Sequence, residues 1–160
     1  MLNLTSYPLS LQVLMHTDGT VTDLIELLAH EKLTVIKLHE NITKDSSLLV
    51  RRIYLQGMKS KINWLCAESK IYLNNLEDNF VKDLTHHSIP IGTLWTKYKM
   101  ETYKKITEKK EELSIDSVQT GYKKGEKLLS RTYEVFNNQK LIMEITERFP
   151  VSHFTNTQIF

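Results

Sequence analysis

Two pairs of segments with apolar residues at every second position, each pair joined by a few turn-forming residues, constrain this chain more than any other feature. Segments 48–56 and 61–73 are linked by Gly57-Met58-Lys59-Ser60, and segments 126–136 and 139–149 by Asn137-Asn138. A period of two sends alternate side chains to opposite faces of a strand. Connections this short return a strand antiparallel to its neighbour, so two β-hairpins are expected. The β-branched stretch 33–43 predicts a further strand. So does the Lys- and Glu-rich stretch 99–112, in which Met100, Thr102, Lys104 and Ile106 alternate with polar residues. Helical spacing occurs at 10–16, at 21–29 behind a Thr20/Asp23 pair arranged as a capping box, at 75–84, and at 91–98 behind Pro90. The fold class expected is therefore α+β: a six-stranded antiparallel sheet with flanking helices on one face. The 160 residues fit a single domain spanning 1–160, with 1–8 as a loose lead-in and 151–160 as a tail.

A charge on the apolar face of a strand needs a reason, because burying it without a partner is costly. On 48–56, Arg51 shares a face with Leu49, Ile53 and Leu55, whereas Arg52 points the other way. On 126–136, Arg131 shares a face with Leu129, Tyr133 and Val135. On 139–149, Glu147 lies with Leu141, Met143, Ile145 and Phe149. The chain has only four arginines, and two of them fall on apolar faces with one glutamate. A buried structural ion pair would account for the pattern. So would an enclosed pocket in which guanidinium groups take a carboxylate and a desolvated glutamate serves as acid or base. Two arginines against one glutamate leave a positive charge over, which favours an anionic ligand.

Other chemistries find little support. The net charge of +2 is spread among mixed signs, so no nucleic acid partner is expected. The lone Cys66 lies in an apolar stretch and is read as a small buried side chain in a reducing compartment. The first residues lack the basic region and cleavage site of a secretory signal and no apolar run is long enough to span a membrane, so neither a secreted nor a membrane-spanning protein is expected. His86-His87 follow the 75–84 helix without a Cys or carboxylate at ligand spacing, so they are read as a C-terminal cap, and no metal site is expected.

With these residues in view, the chain resembles the chorismate lyase family, in particular its cyanobacterial and algal plastid branch. The resemblance runs from about Leu9 to Pro150. It rests on HTDGTVTDLIELL at 16–28, LVRRIYLQG and WLCAES within 49–69, PIGTLW at 90–95, and LLSRTYEVFNNQKLIMEITERFP at 128–150. It implies a six-stranded antiparallel sheet, a buried site, no cofactor and no metal. The implied reaction is removal of pyruvate from chorismate to leave 4-hydroxybenzoate for prenylquinone rings, in the bacterial cytoplasm or the plastid stroma; the sequence leaves the oligomeric state open, with a monomer favoured. The family's ligand-binding arginine falls on Arg51, its conserved glutamate on Glu147, a carboxylate-holding backbone amide on Ile91, and an apolar pocket residue, often methionine, on Val21. Arg131 is the candidate for the second carboxylate of chorismate. The alternative is a non-catalytic aromatic-acid binding module of the same fold, like the effector-sensing domains of some transcription regulators.

Overall fold

In a computed structural model that describes residues 2–155, both hairpins form, and they meet in the middle of one sheet. The strands are β1 (Leu33–Ile42), β2 (Leu48–Gly57), β3 (Asn63–Tyr72), β4 (Tyr103–Leu113), β5 (Lys127–Asn137) and β6 (Lys140–Pro150). They are all antiparallel in the order β1-β2-β3-β6-β5-β4. Each half of the sheet is thus a three-strand meander, and the β3–β6 pairing joins the two. Each meander is preceded by a pair of helices: α1 (Leu9–His16) and α2 (Val21–Ala29) before the first, α3 (Asp78–His86) and α4 (Ile91–Lys97) before the second. Two one-turn helices, α5 (Ser117–Thr120) and α6 (Val151–Phe154), complete the described residues.

Period-two burial builds the core. Leu49, Ile53, Leu55, Leu65, Ile71, Leu129, Tyr133, Val135, Met143, Ile145 and Phe149 are buried and pack against Leu11, Leu14, Met15, Val21, Ile25, Phe80, Leu84, Leu94 and Trp95 from the helices. Removing that apolar surface from water is the main favourable contribution to the fold.

Several expectations need correction at their edges. The lead-in is packed, with a 3-10 turn at Leu4–Ser6 held by the Asn3 side chain, and Leu4 and Tyr7 buried. In the tail, α6 buries Phe154 against Trp64 and Phe149, while residues 156–160 lie outside the described residues. The last turn is Asn138-Gln139 rather than Asn137-Asn138. Both residues have positive φ, 50° and 64°, the backbone that a two-residue type I′ hairpin needs. The stretch before β4 stays off the sheet because the amides of Lys99 and Met100 turn back onto the Thr96 and Trp95 carbonyls of α4. The helix expected at 75–84 splits into a 3-10 turn at Leu73–Asn75 and α3. Thr20 makes no side-chain capping bond; its methyl group lies instead against Gly92. The helices do not cover one face alone. The loop carrying α5 places Tyr122 over the opposite face, where it packs with Tyr54, Cys66 and Leu128.

Candidate active site

The sheet's inner face and the N-terminal ends of α2 and α4 line one pocket. Its lower wall comes from alternate residues of the strands: Arg51, Ile53 and Leu55 of β2, Leu65, Ala67 and Ser69 of β3, Ile145 and Glu147 of β6, Tyr133 of β5 and Lys104 of β4. Its roof comes from Thr20, Val21 and Thr22 on one side and Ile91, Gly92 and Trp95 on the other. The two helix ends meet closely because residue 92 is glycine: a Cβ there would stand 2.3 Å from the Thr20 methyl carbon.

Arg51 is 2% exposed. Among the described residues its Nη1 reaches the Leu84 carbonyl, at 3.4 Å, and its Nε finds no hydrogen-bond partner. Among the described residues no carboxylate stands at ion-pairing distance from it. Glu40 on β1 acts on it from further away and is itself paired with Lys37 at 3.4 Å. Burial pulls the guanidinium down to about 10, so it keeps its charge near neutral pH.

Glu147 is held on both oxygens. Arg131 Nε donates to Oε1 at 2.8 Å, and the Tyr133 hydroxyl donates to Oε2 at 3.2 Å. Burial and the adjacent Glu147 charge hold the Tyr133 phenol well above its usual range, so it stays a donor. Arg131 also donates from Nη1 to the Thr17 carbonyl at 2.7 Å, and its guanidinium lies over the Tyr133 ring at 5.0 Å. The Arg131–Glu147 pair is thus charge-balanced and ties β5 and β6 to the loop before α2.

Lys104 reaches the cavity from β4. Its Nζ donates to the Gly19 carbonyl at 2.8 Å and lies 4.7 Å from the Trp95 ring centroid and 5.6 Å from that of Tyr133. Burial lowers the pKa of this lysine, and the Glu147 charge works in the opposite direction.

Of the five residues expected from sequence, the structure brings Val21, Arg51, Ile91 and Glu147 to one cavity. Arg131 is not in its lining and sits behind Glu147 as that residue's ion-pair partner. Lys104 was not singled out, although its alternation with Ile106 on 99–112 was a usable signal of an inward face. Among the described residues no cluster of three or more His, Cys, Asp or Glu side chains could hold a metal ion, and no helix is long and apolar enough to cross a membrane.

A family model described as Chorismate pyruvate-lyase Rv2949c-like matches residues 15–158. MJ0807 of Methanocaldococcus jannaschii, whose name places it among lyases, is 29% identical over 149 residues, covering 88% of this chain and 77% of that protein. The chorismate pyruvate-lyase of Mycobacterium leprae is 30% identical over 106 residues, 59% of this chain and 50% of that protein. Among solved structures, PhnF from Mycobacterium smegmatis superposes with a TM-score of 0.61 at 8% identity, covering 88% of this chain and 67% of that one, a likeness of fold alone.

Proposed function

The chain belongs to the Rv2949c-like chorismate pyruvate-lyase family, and on that premise we propose that it cleaves chorismate to 4-hydroxybenzoate and pyruvate in the cavity beneath α2 and α4. The observation that carries this reading is Arg51, a buried guanidinium in the cavity wall with no carboxylate of the described residues at ion-pairing distance. An ion so placed is stabilised by a ligand that brings the missing negative charge. Arg51 takes the ring carboxylate of chorismate, with the Ile91 amide, in the first turn of α4, as a second donor. Val21 shapes the apolar roof above the ring.

Glu147 then stands over the carbons that react. The ring carbon bearing the hydroxyl loses its hydrogen as a proton, which the Glu147 carboxylate accepts. The electron pair of that bond completes the aromatic ring, and the C–O bond to the enolpyruvyl group breaks with its electrons on oxygen. The released enolate takes a proton on carbon and becomes pyruvate. Arg131 and Tyr133 fix the carboxylate's orientation throughout, and burial in the cavity excludes water from it. The reading extends to a cofactor-independent enzyme of the cyanobacterial or plastid branch, acting as a monomer in cytoplasm or stroma and supplying prenylquinone rings.

The test is to incubate the purified protein with chorismate and follow both products. Equal amounts of 4-hydroxybenzoate and pyruvate are expected, unchanged by EDTA and lost in Glu147→Gln by about 10²–10⁴ in turnover. If chorismate persists while 4-hydroxybenzoate binds, the chain is a binding module and the reading fails.

A further inference from the structure

Among the described residues, the cavity lining holds a second cation outside any ion pair. Arg131 and Glu147 neutralise one another, which leaves Arg51 and Lys104 as the lining cations outside any ion pair among the described residues, with Glu40 acting on the first and Glu147 and Asp18 on the second from further away. Lys104 has three N–H donors, and the Gly19 carbonyl accepts one of them. Two aromatic rings flank its ammonium, Trp95 and Tyr133, and their faces favour the charge at this half-buried place in the cavity wall.

The sheet separates the two cations in a fixed order. Arg51 is on β2, Glu147 on β6 and Lys104 on the outermost strand, β4, so the glutamate's strand lies between the strands of the two cations. Arg51 shares its cross-strand row with Ser69, Ile145 and Tyr133, while Lys104 pairs with Val135 in the next row. An anion that satisfied both would carry two carboxylates at opposite ends with its reacting bond between them. A ligand with one carboxylate would leave one cation unmatched.

We infer that Lys104 binds the carboxylate of the leaving three-carbon group, so that the site selects a dicarboxylate substrate over its monocarboxylate aromatic product. The inference rests on the lyase reading, because it needs a substrate whose second carboxylate departs with pyruvate. Once the C–O bond breaks, the ring fragment keeps its carboxylate contacts at Arg51 and the Ile91 amide, and the three-carbon fragment keeps the one at Lys104.

The experiment measures kcat and KM for chorismate, and the dissociation constant of 4-hydroxybenzoate, for the full chain and for Lys104→Met and Lys104→Arg. In Lys104→Met, KM should rise by roughly 10- to 100-fold while 4-hydroxybenzoate affinity changes by less than about threefold. Lys104→Arg should recover most of the KM. A merely structural lysine would weaken both ligands together, and that result overturns the inference, as does an unchanged KM. If Lys104→Met melts early, Lys104→Gln, which can still donate to the Gly19 carbonyl, carries the same comparison. Failure of the unmutated chain to consume chorismate shows itself before any variant is made, so it is told apart from failure of the inference.

Discussion

Arg51 and Arg52 are neighbours of identical chemistry with opposite surroundings. Arg51 is buried under the helices without an ion-pair partner among the described residues, whereas Arg52 lies on the outer face and donates from Nε and Nη2 to Glu68 at 3.0 and 2.8 Å. Arg51→Ala should therefore weaken 4-hydroxybenzoate binding by about 2–4 kcal/mol, some 30- to 1,000-fold in a calorimetric titration. Arg52→Ala removes a partly exposed ion pair, should cost about 0–1 kcal/mol of stability, and should leave that affinity intact. Equal losses for the two would show that Arg51 does not touch the ligand. The inward positions of Arg51, Arg131 and Glu147 were all legible in the sequence, because the period-two alternation runs without a break over 49–55, 129–135 and 143–149; in β6 it is interrupted at Ile142, which takes Leu141 off the inward face expected for it. Lys104 was harder to see for a physical reason. Thr107 is an extra residue in β4, the pairing passes from Ile106 to Glu108, and the inward set changes from 104 and 106 to 109. A strand whose parity reverses midway shows no sustained apolar face.

At the scale of elements, the cavity exists because α2 and α4 approach at their first turns. Gly92 permits that approach, since any β-carbon would collide with the Thr20 methyl group. Gly92→Ala should destabilise the fold by about 1–3 kcal/mol in denaturant unfolding, the usual range for overpacking. Thr20→Ser deletes the opposing methyl group, so combining it with Gly92→Ala should recover most of that loss. Additive losses would mean that the two helix ends are not in register as described. The helices themselves were legible from their apolar spacing and from Pro90 ahead of α4. The close contact was not, because it depends on the Thr20 methyl group meeting the backbone of Gly92, 72 positions away, across the roof. The same distance in sequence hid the outer-face cluster: Tyr122 is recognisable as buried only once β2 and β3 have placed Tyr54 and Cys66 beneath it.

Across the whole molecule, the cavity straddles the β3–β6 seam, with Val21 and Arg51 from the first half and Ile91, Lys104 and Glu147 from the second. A ligand held from both sides binds only the assembled sheet. Its binding energy is then added to the folding free energy: at a hundred times its dissociation constant, 4-hydroxybenzoate should add about 2.7 kcal/mol, and Tm should rise by about 5–10 °C. A Tm that stays constant as ligand increases would show that the compound does not occupy the seam. The outer face carries a second consequence of the same sheet. There Arg52 pairs with Glu68, Glu68 lies 3.5 Å from Arg148, and Arg148 donates to Glu112 at 2.7 Å, so opposite charges alternate from β2 through β3 and β6 to β4. A slip of one residue between β2 and β3 is already forbidden, because it would turn the apolar face to water. A slip of two preserves that face, but it would set Arg52 against Lys70 or Cys66 in place of Glu68. Hydrophobic alternation and the charge row therefore act as two independent check digits on strand alignment, one rejecting odd errors and the other rejecting even ones.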